Sequence, residues 1–134
     1  MRVLLVEDDL FTANQIEAGN RAAGLYTETA RCTLEAMDLL RHDTYEVAVV
    51  DHYLGGETTL FLVSHLRLRH PETRVITITG AALFARGYGL EKLGCDFLFR
   101  KPFAISDLVE VIRYLGEASK AQLTEHRRAG TDGG

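Results

Sequence analysis

The chain has 134 residues, a net charge of −4 and ordinary apolar and charged fractions, which fits one globular domain able to bury roughly two-thirds of its unfolded surface without a disulfide or structural metal. The acidic balance gives no electrostatic footprint for nucleic acid or for an anionic membrane. Cys32 and Cys95 form no CxxC and read as thiols of a reducing compartment. No run approaches the roughly 20 apolar residues of a membrane span, and Glu7 follows the first apolar run too soon for a signal peptide. The expected location is cytoplasmic.

Strand-like runs alternate with helical patterns along the chain. Arg2 to Val6 reads as the first strand, followed by a helix from about Phe11 to Ala23 that Gly24 ends in the C′ role. Leu25 to Ala30 reads as a weaker strand. Thr33 to His42 returns to helix, with Thr33 as candidate N-cap and Leu34, Met37 and Leu40 on one face. Val47 to Val50 is a continuous apolar run, as expected of a central strand covered on both faces.

A long helical segment over 58–70 is stopped by Pro71, and Arg74 to Thr79 is the fourth strand. Ala82 to Leu93 reads as a helix weakened by Gly87 and Gly89, each costing about 1 kcal/mol against alanine, and Gly94 ends it. Cys95 to Phe99 is the fifth strand. Ser106 then caps a helix carrying Leu108, Val109, Ile112 and Leu115. Past about Gly116 the pattern fades, so 1–118 reads as the domain and 119–134 as a flexible tail or truncated linker. Five strand–helix units predict an α/β fold, a doubly wound (βα)₅ parallel sheet.

In such a sheet the carboxyl ends of the strands face one crevice. Glu7, Asp8 and Asp9 follow the first strand, Asp51 the third, Thr79 the fourth and Lys101 the fifth. Carboxylates, a hydroxyl and an ammonium at one edge suit a divalent cation and a phosphoryl group. Each residue also has a plainer use. Asp9 is expected to cap the following helix, Thr79 can be a β-branched strand residue, and Lys101-Pro102 can be a solvated turn. His52 beside Asp51 invites an acid–base or metal pair, but neighbouring strand residues point apart. His42, His65, His70 and His126 share no metal-ligand spacing, and Asp96 and Arg113 are candidates for salt bridges.

Val-Leu-Leu-Val-Glu-Asp-Asp, Val-Val-Asp51, Ile-Thr79-Gly and Arg-Lys101-Pro102-Phe103 together resemble the response-regulator receiver domain of two-component signalling, over residues 1 to about 118. The resemblance implies a flavodoxin-like sheet of order 2-1-3-4-5. It implies that Asp51 is the phosphoacceptor, Lys101 and Thr79 its partners, and a histidine kinase or phosphotransfer protein the donor. It further implies Mg²⁺ held by Glu7 (largely through water), Asp8, Asp51 and the Tyr53 backbone carbonyl. The proline after Lys101 is often cis in such domains, and their phosphorylated residue is slowly hydrolysed.

The chain departs from the family pattern in two places. Leu98 stands where an aromatic residue is usual, with Phe97 and Phe99 pointing to the other face. The segment after Asp51 has Gly55 and Gly56 where a proline is usual at 55, and Thr59 for a glycine. Two glycines predict a permissive loop, mobile without metal. The fourth helix is expected to be poorly ordered or shifted.

Two functions follow: a phosphorylatable signalling module, or an interaction domain of the same fold whose output ignores phosphate. A hydrolase is disfavoured, because Tyr53 stands where such phosphatases want a second aspartate. A homodimer through the fourth helix, fifth strand and fifth helix rests on family analogy alone. The chain is expected to be a stand-alone receiver or the front of a longer protein.

Overall fold

The computed structural model describes residues 1–80 and 90–132, with side chains for 1–80 and 92–119. The elements are β1 (Arg2–Val6), α1 (Leu10–Ala22), β2 (Tyr26–Ala30), α2 (Thr33–His42), β3 (Val47–Asp51), β4 (Tyr53–Leu54), β5 (Glu57–Thr58), α3 (Leu60–Arg69), β6 (Arg74–Thr79), α4 (Leu90–Leu93), β7 (Phe97–Arg100) and α5 (Ile105–Asp132). β4 and β5 form a separate two-stranded ribbon. The other five strands form one parallel sheet in the order β2-β1-β3-β6-β7, which is the expected 2-1-3-4-5. The helix read over 82–93, and its expected disorder or shift, lies outside the described residues except for its Leu90–Leu93 end.

Alternation along the strands builds two cores. Leu4, Val6, Ala48, Val50 and Val75 face Leu40 of α2 and Leu62 and Leu66 of α3. Val3, Leu5, Val47, Val49, Ile76 and Ile78 face Ile16 of α1 and Leu108 and Ile112 of α5. β3 is buried at every position, as a strand covered on both faces must be. Each such side chain contributes roughly 1.5–3 kcal/mol on leaving water.

Several local expectations hold. The Asp9 carboxylate accepts hydrogen bonds from the Thr12 amide at 2.9 Å and hydroxyl at 2.6 Å, capping α1. Gly24 and Gly94 adopt φ of +77° and +70° at helix ends, and the Lys101–Pro102 bond is cis.

Three expectations are corrected, and a fourth holds for Asp96 alone. α2 begins at Thr33 itself, with Cys32 in the cap position and no side-chain cap bond. Glu35 substitutes by accepting the Arg31 N–H at 2.7 Å. Ser106 lies inside the first turn of α5, whose leading carbonyl is that of Ala104. α5 runs to Asp132 rather than fading after Gly116, because Ala, Lys, Gln, Leu, Glu and Arg all favour helix even without an apolar stripe. Asp96 and Arg113 serve different partners: Asp96 takes Arg67 at 2.9 Å, the Val75 amide at 2.8 Å and Arg74 at 3.9 Å, whereas Arg113 donates to the Ala23 carbonyl at 2.7 Å.

Candidate metal and phosphoryl site

The parallel register carries the ends of β1, β3, β6 and β7 to one edge. Val6 pairs with Val50, Asp51 with Ile78, and Thr79 with Arg100. The residues that follow β1 and β7 therefore arrive beside Asp51. The Lys101 ammonium donates to Asp51 Oδ2 at 2.8 Å and lies 3.9 Å from Glu7 Oε2. Oxygens of Glu7, Asp8 and Asp51 all lie within 4.8 Å of one another.

Burial differs sharply within this group. Glu7 is 1% exposed and Asp51 6%, whereas Asp8 is exposed. A buried carboxylate next to another is costly to ionise. Burial and the adjacent Asp51 carboxylate together push the Glu7 carboxyl up to about 8, against the Asp9 amide and Lys101, which favour ionisation. Burial opposes the Lys101 charge, but the hydrogen bond and field of Asp51, with Glu7 and Asp9, outweigh it and hold the ammonium above its ordinary value.

The donor set fits a hard divalent cation. It is all oxygen and carries excess negative charge, and buried Glu7 Oε2 has no hydrogen-bond partner. Mg²⁺ takes oxygen ligands and retains several waters, so Glu7, Asp8 and Asp51 are the residues that can hold it.

The segment after Asp51 forms a two-stranded ribbon. Tyr53 pairs with Thr58 and Leu54 with Glu57, antiparallel, across Gly55 and Gly56 at φ of +57° and +83°. Two consecutive positive φ values make the two-residue turn that matches strand twist, and glycine alone adopts both without strain. The turn delivers the Gly55 N–H to Asp8 Oδ2 at 3.1 Å. The Tyr53 N–H donates to Asp51 Oδ1 at 3.2 Å. The Thr59 hydroxyl donates to the Asp51 carbonyl at 2.7 Å, locking the strand end to the start of α3.

Sequence reasoning missed this ribbon and the roles of Gly55 and Thr59. A Gly-Gly pair between Tyr-Leu and Glu-Thr is itself a hairpin signal, and it was available.

Thr79 is buried, and its hydroxyl has no hydrogen-bond partner. Its carbonyl accepts the Lys101 amide at 2.8 Å, tying β6 to the lysine. His52 is buried beside Asp51, and burial holds its imidazole below the ordinary value against the opposing charge of Asp51. No hydrogen bond joins its ring to Asp51 among the described residues; its backbone instead bonds Ile78 and Thr59. Leu98 packs against the core under α2 and α3, while Phe97 and Phe99 stack on the other face with centroids 5.0 Å apart.

A family profile for the response regulator receiver domain matches residues 3–113. The chain is 31% identical over 121 residues to the polar-differentiation response regulator DivK of Brucella abortus (strain 2308), covering 87% of this chain and 97% of DivK. It is 28% identical over 116 residues to the photosynthetic apparatus regulatory protein RegA of Rhodobacter capsulatus, covering 87% of this chain but only 63% of RegA. The solved receiver domain of the Francisella response regulator 1452 superposes with a TM-score of 0.78 at 26% identity, over 88% of this chain and 98% of that one. No helix among the described residues is long and apolar enough to cross a membrane.

Proposed function

The chain belongs to the response regulator receiver domain family, and from that premise we propose that Asp51 accepts a phosphoryl group from a histidine kinase or phosphotransfer protein in the cytoplasm. Glu7, Asp8, Asp51 and the Tyr53 carbonyl are the proposed Mg²⁺ ligands. Bound there, the cation neutralises charge on the phosphoryl oxygens.

The remaining work falls to the chain. One Asp51 carboxylate oxygen attacks phosphorus, the P–N bond to the donor histidine breaks, and its electron pair leaves with the imidazole. Lys101, 2.8 Å from Asp51 Oδ2, meets the developing negative charge. The Tyr53 N–H at 3.2 Å fixes the carboxylate plane. The unpartnered Thr79 hydroxyl is free to donate to a phosphoryl oxygen. Leu10 and Phe11, exposed beside Asp9, offer the donor an apolar contact. The chain catalyses only its own phosphorylation and a slow hydrolysis of the product. A homodimer through the fourth helix, β7 and α5 completes the proposal.

The observation that carries this reading is the buried Asp51 held against Lys101 inside a three-carboxylate cluster. Acetyl phosphate with Mg²⁺ should add one phosphoryl group, seen by intact mass and mapped to Asp51. Failure to label with small donors and with histidine-phosphorylated protein alike would refute it.

Leu98 favours a second reading, an interaction domain whose output ignores phosphate, because a leucine has neither ring nor hydroxyl to follow Thr79. A phosphate analogue with Mg²⁺ separates the two. Spectral changes confined to the pocket support the second; changes that spread along β6 and β7 support the first.

A further inference from the structure

A second polar cluster lies at the amino edge of the sheet, opposite the acidic pocket. A cleft of about 430 Å³ separates α2 from α3, lined by Met37, Leu40, Arg41, His65, Arg69 and His70. Arg41 and Arg69 are exposed and meet no carboxylate in any ion pair among the described residues. The imidazoles of His65 and His70 stand 5.6 Å apart. Burial and the adjacent His65 hold His70 below its ordinary value, with Glu72 acting the other way.

Cations in the last turn of a helix often do no more than offset the carbonyl end of its dipole. Arg67 answers such a demand directly, donating to the Gly94 carbonyl at 2.5 Å and to Asp96. The groups in the cleft behave differently. Arg41 and Arg69 come from two helices and line one cleft, so their charges repel one another unless an anion lies between them. Guanidinium forks match the spacing of phosphate oxygens, and imidazole N–H groups add donors. Met37 and Leu40 form an apolar floor, suited to the organic part of an ester.

We propose that the α2–α3 cleft binds a small phosphate-bearing anion, gripped by Arg41 and Arg69 with His65 and His70 as further donors. The site is independent of the Asp51 pocket, whose three carboxylates repel anions in the absence of a divalent cation.

The test titrates the whole chain with inorganic pyrophosphate, free of divalent cations, while NMR follows the His65 and His70 ring resonances. The expected result is a saturable shift of both rings, together with a rise in the pH at which His70 titrates, since an anion and a proton favour each other. The groups facing that ring are Arg41 from α2, His65 and Arg69 from α3, and Glu72 from the turn that follows. The double variant R41Q/R69Q should lose about tenfold or more in affinity, from two charge-assisted contacts removed. Arg21→Gln, on α1, should lose none. Both arginines are exposed, so the double variant keeps its core, and circular dichroism checks that. A shift that never saturates, or saturable binding that survives R41Q/R69Q, overturns the proposal.

Discussion

The two edges of the sheet handle charge in opposite ways. At the amino edge, around Arg2, three carboxylates are met by cations from within the chain. The Arg2 guanidinium takes Glu28 and Asp43, the latter at 2.9 Å, and lies over the rings of Tyr26 and Tyr45 at 4.9 and 5.6 Å. Glu46 accepts the Arg2 amide at 3.1 Å and faces the Met1 ammonium at 4.0 Å. At the carboxyl edge Lys101 is the one cation in ion pairs with the Glu7, Asp8 and Asp51 group among the described residues. Balanced charge fastens strands together. Unbalanced charge is tolerated only where something from outside completes it, and burial of Glu7 makes the imbalance steep.

The largest expected effect is on that unbalanced edge. Asp51→Asn should abolish phosphoryl uptake from acetyl phosphate while the fold persists, since the amide keeps the shape of the carboxylate. Labelling that continues elsewhere at the wild-type rate would remove Asp51 from the chemistry.

Next in size is a pH effect peculiar to the same edge. The folded-state value of Glu7, about 8, stands above the ordinary 4.5. Between these values the folded chain holds a proton that the unfolded chain has released. Stability in EDTA therefore falls as pH rises from about 4.5 to about 8. Glu7→Gln should flatten this profile, as should Mg²⁺, which at a hundred times its dissociation constant adds about 2.7 kcal/mol. Urea unfolding across this range decides it; a profile that Glu7→Gln leaves unchanged would mean that Glu7 is ionised throughout.

The Arg2 cluster at the amino edge should respond in stability alone. Arg2→Ala leaves Glu28 and Asp43 without their cation and should cost about 2 kcal/mol, visible as a lower urea midpoint with phosphorylation unaffected. A change in labelling rate would break the separation between the edges. The smallest effect belongs to the ribbon: Gly55→Ala forces a side chain into the left-handed region at a cost of about 1–2 kcal/mol. It should weaken Mg²⁺ binding slightly by displacing the Gly55 amide from Asp8.

Much of this division was legible in the sequence. The apolar runs ending in Glu7, Asp51, Thr79 and Lys101 placed the site, because strand direction forces those ends together. The face of Leu98 followed from simple alternation. What escaped was set by partners distant in sequence or by backbone shape. Nothing near Asp96 announces Arg67 and Arg74, and Thr33 has the better capping side chain even though Cys32 holds the position. Gly55-Gly56 was read as freedom, and its demand for two positive φ values went unread.

That turn also has a kinetic meaning. The Leu54–Glu57 and Tyr53–Thr58 pairs are local, whereas Lys101 reaches Asp51 across a sequence separation of 50. A hairpin of this kind closes within about 1–10 μs, well ahead of a parallel sheet that must first bring remote segments together. The rim of the pocket is thus assembled by neighbours and its charge by strangers. A lengthened turn would slow the closing of that rim while leaving the Lys101–Asp51 pair in place.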